Sequence, residues 1–287
     1  MTRWLVTGAG GMLGQDLLAA LDGQEVTARK RSDLDITSPD AVREAVAGHD
    51  VVLNAAAWTD VDGAETAEAA ATAVNGTAVA VLAEACRAAG ARLVHVSTDY
   101  VFAGDATEPY REDAPTDPIN AYGRGKLAGE RAILATLPDT GYVVRTAWLY
   151  GAHGRNFVTT MLRLAATRET VDVVDDQRGQ PTWSVDLAAR LVELGVAAGA
   201  PGGVYHGTAS GETTWFGLAQ AVFAGAGLDP ARVRPTGSAA FVRTARRPAY
   251  SVLGHDRWSA AGLGPMRDWR AMLAAALHGP LLTEGAA

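Results

Sequence analysis

A single cysteine, Cys86, stands in the whole 287-residue chain, so no disulfide can form within it and no thiolate cluster can hold a metal. Basic charge is also short. Lys and Arg number 25 against 32 Asp and Glu, giving a net charge of −7 and a pI near 5.4. A general nucleic-acid binder needs a basic face, and the charge argues against that class; no nucleic-acid partner is expected. No G-x-S-x-G elbow or H-E-x-x-H helix occurs, which argues against hydrolase and metalloprotease chemistry. Asp175 and Asp176 lack a partner at ligand spacing and read as a turn, so no metal site is expected. The N-terminus runs into a glycine loop without an apolar stretch and small-residue cleavage site, and a cytoplasmic protein is expected. Apolar runs such as Leu187 to Ala200 are broken by charges, here Arg190 and Glu193. None is expected to reach membrane-spanning length. No fixed-period repeat is visible.

What the chain does have is 48% hydrophobic and 20% charged residues, enough to bury the core of one large domain or two moderate ones. Trp4-Leu-Val-Thr7 is an apolar, β-branched run and reads as a buried strand. Gly8-Ala-Gly-Gly11-Met12-Leu13-Gly14 follows, then an amphipathic helix through about Leu21. Strand, glycine turn and helix form the setting in which a dinucleotide's phosphates meet a helix N-terminus. Gly8 permits the tight turn, Gly11 lets backbone approach a pyrophosphate and Gly14 allows close helix–strand packing. The spacing is G-x-x-G-x-x-G, and a plain glycine-rich turn is the alternative.

The second strand, Glu25 to Ala28, ends in Arg29-Lys30-Arg31. An acid there suits the ribose of NAD, whereas basic residues suit a 2′-phosphate. NADPH is therefore the expected cofactor, with NADH accepted as well; a solvated basic turn is the alternative. Asp33 and Asp35-Ile36 fall where an adenine would lie. A third strand, Asp50 to Asn54, runs into Ala55-Ala56-Ala57, whose small side chains let backbone pass close beneath a cofactor. A long helix is expected from about Glu65 to Gly90. The strand Arg92 to Ser97 carries His95, read as a core residue, and ends in Thr98-Asp99-Tyr100. In open parallel sheets, ligands bind off the carboxyl ends of strands. After the proline-rich loop 109–118 comes a helix from near Ala121 to Leu137, then the strand Tyr142 to Tyr150.

On that helix Tyr122 and Lys126 lie four residues apart, on one face. A cation beside a phenol lowers its pKa, and such a tyrosine can exchange a proton with a carbinol oxygen. Thr98 is expected to meet Tyr122 in one cleft. The alternation βαβα predicts an α/β, Rossmann-type doubly wound parallel sheet with a smaller C-terminal α/β substrate lobe. Residues 1–150, with about 180–210 returning, form the cofactor domain in this reading; residues 151–179 and 211–287 form the lobe.

Thr7-Gly-x-x-Gly-x-x-Gly14, Asn54-Ala-Ala-Ala57, Ser97-Thr-Asp-Tyr-Val-Phe102 and Tyr122-x-x-x-Lys126 together resemble the extended short-chain dehydrogenase/reductase family. Arg145-Thr-x-Trp148, Asn156-Phe157, Asp176-Gln-x-Gly-x-Pro-Thr182 and Arg247-Pro248 extend the likeness over essentially the whole chain. They point to its reductases of dTDP-4-keto-6-deoxyhexoses. The resemblance implies hydride delivery from NAD(P)H to a C4 ketone, with Tyr122 as proton donor. Lys126 would hold the nicotinamide ribose and Thr98 the reacting oxygen. Gly8, Gly11, Met12, Leu13, Gly14, Arg29, Lys30, Asp35, Ile36 and Ala55 to Ala57 would line the cofactor site. Tyr100, Trp148, Asn156 and Arg247 would line the sugar-nucleotide site; aromatic packing, a turn and a surface charge are their other readings. Tyr250 stands where the family commonly has asparagine. Dehydratases on this scaffold are expected to carry an acid pair after the threonine, but Tyr100 follows Asp99 here. A non-catalytic nucleotide-binding subunit would not need Tyr122 and Lys126. A monomer or homodimer is expected.

Overall fold

The computed structural model describes residues 1–279 and Leu281; the last residues of the expected lobe, 282–287, lie outside the described residues. Up to the sixth helix the elements are β1 (Arg3–Thr7), α1 (Met12–Ala20), β2 (Glu25–Arg29), α2 (Pro39–Val46), β3 (Val51–Asn54), α3 (Val61–Thr66), α4 (Glu68–Thr72), α5 (Ala78–Ala89), β4 (Arg92–Thr98) and α6 (Ala121–Thr136). Then come β5 (Gly141–Thr146), β6 (Leu149–Tyr150), α7 (Phe157–Thr167), β7 (Val171–Val174), β8 (Arg178–Gly179), β9 (Thr182–Trp183), α8 (Ser184–Val196), β10 (Gly203–His206), β11 (Thr213–Thr214), α9 (Trp215–Gly225), β12 (Val233–Thr236) and α10 (Trp269–His278).

Six strands form one sheet in the order β10-β5-β4-β3-β1-β2, and every pairing is parallel. Both faces are covered, as parallel sheets require. Leu13 and Leu17 of α1 and Leu187, Leu191 and Leu194 of α8 share one buried cluster with Trp4, Val6 and Leu53 of the sheet. On the other face Val42 and Val46 of α2, Leu82 and Cys86 of α5, and Ile133 of α6 pack on Leu5, Val52 and Leu93. The doubly wound sheet is the fold class that the βαβα alternation predicts. The strand order reverses between β1 and β3, the switch point at which such sheets open a ligand crevice.

β10 adds to the outer edge of β5. The remaining short strands pair as β11 with β8, β12 with β7 and β6 with β9. Their helices α9 and α10 bury Phe223, Trp269 and Leu273 in the same cluster that covers α1 and α8. One apolar core therefore runs from the sheet into the C-terminal part.

The long helix expected over Glu65 to Gly90 is broken. Ala67 takes φ −132°, ψ 40° between α3 and α4, and a π-helical turn, Ala73–Thr77, precedes α5. Within that turn the Asn75 side chain accepts from Trp58 N–H (2.9 Å) and donates to Trp58 C=O (3.0 Å). The run Glu68–Ala89 is, by length and composition, long and apolar enough to cross a membrane, with mean hydropathy 1.4. This corrects the expectation that no segment reaches that length. The alanines that raise its hydropathy are small, and half of the run is buried inside the fold.

Candidate active site

The crevice at the switch point is a cleft of about 1280 Å³, large for one small ligand. Its upper wall is the turn between β1 and α1. Gly8 has φ +70°, and a Cβ on it would lie 2.6 Å from the Ala55 carbonyl carbon and the Ala56 nitrogen. A Cβ on Gly14 would sit 2.1 Å from the Gly8 carbonyl oxygen. The backbone is drawn in because no side chains intervene. Gly11 caps α1 without a side-chain hydrogen bond, so the first N–H groups of α1 remain available as anion donors. Among the described residues, this cradle and its donors fit a dinucleotide diphosphate.

Met12, Leu13, Arg29, Lys30, Asp35, Ile36, Ala55, Ala56 and Ala57 line the cleft beside these glycines. Lys30 packs along Gly10. The acids near it are engaged locally: Asp33 accepts Lys30 N–H (3.1 Å), and Asp35 accepts both the N–H (2.9 Å) and the hydroxyl (2.7 Å) of Thr37. Those hydrogen bonds lower both carboxyl pKa values.

At the other end stand Thr98, Tyr100, Tyr122 and Lys126. The helix α6 starts well despite its glycines. Asn120 caps it by accepting Gly123 N–H (2.8 Å), and Glu65 accepts Ala121 N–H (2.7 Å). A Cβ on Gly123 would meet the Tyr100 carbonyl oxygen at 2.1 Å, so only glycine brings the helix this close to the Thr98 turn. The Thr98 hydroxyl donates to Asp99 (3.0 Å) and accepts Tyr100 N–H (3.1 Å), and it lowers the Tyr122 phenol's pKa slightly against the larger effect of burial. Tyr100 meets Tyr122 edge-on, with ring centroids 6.0 Å apart.

Burial, helped by the Asp99 carboxylate, pushes the Tyr122 phenol up to about 12. Burial also pushes Asp99 up to about 6 and Lys126 down to about 8. The expectation that Lys126 lowers the phenol's pKa is therefore corrected. Its nitrogen is engaged elsewhere: Nζ donates to Val96 C=O (2.6 Å) and lies 3.1 Å from Nε2 of His95. Beneath them Glu130 binds Arg145 through two guanidinium nitrogens and accepts from Ser97 (2.5 Å), an ion pair almost wholly buried.

Trp148 lines the cleft as well, at φ +47°, the one non-glycine residue with positive φ among those described. Its indole lies on Gly179 and stacks on Trp215 at 3.6 Å. Arg247 is placed beside the cleft and not on its lining: Nη2 pairs with Asp62 (3.1 Å), and the guanidinium sits 5.9 Å from the Tyr100 ring. Asn156 is not brought to the cleft. Its oxygen accepts Thr159 N–H and its nitrogen donates to Gly151 C=O (2.7 Å), capping α7. Asp175 and Asp176 accept from Thr214 and Ser238, as turn residues do.

Residues 2–280 match the RmlD substrate binding domain family. The chain belongs to that family. It is 60% identical to a dTDP-4-dehydrorhamnose reductase of Streptomyces griseus over 94% of this chain and 91% of the relative. It is 55% identical to a dTDP-4-keto-6-deoxy-D-glucose reductase of Streptomyces niveus, over 98% of this chain and 97% of the relative. Among solved structures, the dTDP-4-dehydrorhamnose reductase of Bacillus anthracis in complex with NADP superimposes with a TM-score of 0.90. That likeness covers 97% of this chain and 99% of that one at 35% identity.

In this RmlD-family cleft the structure adds residues that spacing did not single out. Trp215, Trp58, Thr146, His153 and Arg155 all line it. Trp215 opens α9 directly after its Thr214 cap, and nothing in its sequence neighbourhood marks it. His95, read as a core residue, is buried in β4 as that reading has it and does not line the cleft.

Proposed function

We propose that this chain is an NADPH-dependent reductase of the C4 ketone of dTDP-4-dehydrorhamnose, giving dTDP-rhamnose, and that it works in the cytoplasm as a monomer or homodimer. The observation that carries the reading is the meeting of Tyr122, Thr98 and Lys126 at one end of a cleft whose other end is a glycine cradle. Gly8, Gly11, Met12, Leu13 and Gly14 hold the diphosphate, Ala55 to Ala57 pass beneath it, and Asp35 and Ile36 flank the adenosine. NADPH supplies a hydride to the carbonyl carbon when bound.

Tyr122 supplies the proton. A phenol pushed up to about 12 is fully protonated at neutral pH, so the donor is loaded before each turnover. Thr98, which lines the cleft with that phenol, hydrogen-bonds the reacting oxygen. Lys126 binds the nicotinamide ribose. Tyr100 and Trp148 wall the sugar, and Arg247, held by Asp62, provides the guanidinium for the nucleotide's diphosphate. Asn156 supports the loop 151–156 by its capping bonds in place of the ligand contact expected from sequence. In this reading residues 1–150, with about 180–210 returning, are the cofactor domain, and residues 151–179 and 211–287 form the sugar lobe.

The Streptomyces niveus relative favours a second reading, reduction of a different dTDP-4-keto-6-deoxysugar. Purified enzyme with dTDP-4-dehydrorhamnose and NADPH is expected to yield dTDP-rhamnose. No reduction of that ketosugar, with turnover of another, would move the assignment to the second reading.

Cofactor choice follows from the end of β2. Arg29 and Lys30 line the cleft and give a 2′-phosphate two cations to meet, while the ionised Asp33 and Asp35 nearby, held by backbone and hydroxyl groups, blunt that attraction. Arg29→Ala and Lys30→Ala are each expected to lower the NADPH-over-NADH ratio of kcat/KM by about tenfold, the size of one charge-assisted hydrogen bond. Steady-state kinetics with both cofactors measures it; an unchanged ratio in both variants would remove these residues from the phosphate site.

A further inference from the structure

Four side chains join hands across the sheet beneath the cleft. Thr7, Asn54 and His95 occupy facing positions on β1, β3 and β4, and Lys126 reaches them from α6. The Thr7 hydroxyl donates to Oδ1 of Asn54 (2.6 Å), which also accepts Ala56 N–H (3.1 Å). That backbone donor fixes which way the amide points. Its nitrogen therefore faces Nδ1 of His95, at 2.8 Å. An amide nitrogen only donates, so Nδ1 must be the acceptor and the proton of the neutral ring sits on Nε2.

Nε2 in turn is 3.1 Å from Nζ of Lys126. An ammonium has no lone pair to offer an N–H. A hydrogen bond at this contact therefore needs the neutral amine, which can accept from Nε2–H while donating to Val96 C=O. All four residues are buried, between 0% and 1% exposed, so no solvent is on hand to relieve two facing donors.

We propose that His95, its tautomer locked by Asn54, is a positioning residue for Lys126: it holds the uncharged amine against the sheet and releases the ammonium toward the cleft. The idea rests on the reductase reading in taking Lys126 as the ribose-binding cation. Burial acts in the same direction: together with the Lys126 charge it holds His95 well below its ordinary value, and it brings Lys126 down to about 8, so the ammonium prevails at neutral pH and the uncharged amine takes over above it. Other groups packed around this face of α6 are Glu130, which favours the ammonium and is itself paired with Arg145, and Tyr122 and Asp99 at the cleft end. Since Ala55 and Ala56, next to Asn54, line the cofactor cleft, the lysine's charge is tied to the strand that carries the cofactor.

Imidazole ¹⁵N–¹H correlation spectra of the wild-type enzyme are expected to show His95 protonated on Nε2 and bare on Nδ1 throughout the neutral range. A proton on Nδ1 would overturn the proposal. Removing the Nε2 donor in His95→Leu takes away a bond that only the neutral amine can make. The alkaline limb of kcat/KM against pH, and the parallel rise of the NADPH Kd, should move to higher pH by up to about one unit, a tenfold change in proton affinity. His95→Gln, whose amide can serve both neighbours, should restore the wild-type limb. A residue that merely fills space would change the melting temperature and leave both limbs in place, and that result would sink the idea. Spectra and NADPH titrations need no ketosugar turnover, so they decide the role of His95 even if the substrate assignment fails.

Discussion

Tyr122→Phe is expected to lower kcat by roughly 10²–10⁴-fold, the usual worth of a positioned general acid, while the NADPH Kd stays near that of wild type. The ring is kept, so its edge contact with Tyr100 (6.0 Å) survives. Only the hydroxyl is lost, and with it the proton that the carbinol oxygen needs. No other side chain can replace it readily: Tyr100 is raised further than Tyr122 by burial, and Thr98 is a far weaker acid. Stopped-flow binding and steady-state turnover measured on the same preparation separate the two effects. Turnover within a few-fold of wild type would show that the proton comes from elsewhere.

Gly14→Val should abolish cofactor binding by a different route. A Cβ there meets the Gly8 carbonyl oxygen at 2.1 Å and the Ala9 Cα at 2.8 Å, both backbone atoms that cannot swing aside. To fit a branched side chain, α1 must retreat from β1, and its N–H groups then lose the positions that face the diphosphate. NADPH affinity is expected to fall by at least about 10²-fold, with a loss of stability of about 1–3 kcal/mol from overpacking at the α1–β1 contact. Calorimetric titration and thermal unfolding check both parts. A variant that binds NADPH as tightly as wild type would show that the cradle does not hold the phosphates. Gly14 and Tyr122 lie at opposite ends of one cleft, so their losses should be distinct: binding in the first, chemistry in the second.

By itself the sequence determined the features that are encoded over short stretches. The turn Gly8 to Gly14 was legible because a strand, small residues and a helix start sit side by side, and local sterics force that conformation whatever lies further along. Tyr122 and Lys126 were legible because four residues is about one helical turn. The parallel sheet followed from the regular exchange of apolar runs and helices. Tertiary structure alone decided which distant residues meet at the site. Asn54, His95 and Lys126 are brought together by strand order and register, and no spacing along the chain encodes a neighbour across a sheet. Trp215 reaches Trp148 only through the fold of the C-terminal lobe, and Arg247 is claimed by Asp62 from a helix 185 positions earlier. The direction of the Tyr122 shift reversed for the same reason. Sequence placed a lysine one turn away, but burial and Asp99 set the phenol's environment, and the sheet drew the lysine's nitrogen to His95 and the Val96 carbonyl. Local periodicity fixes which face a side chain takes; what it meets there depends on chain segments that only folding brings near.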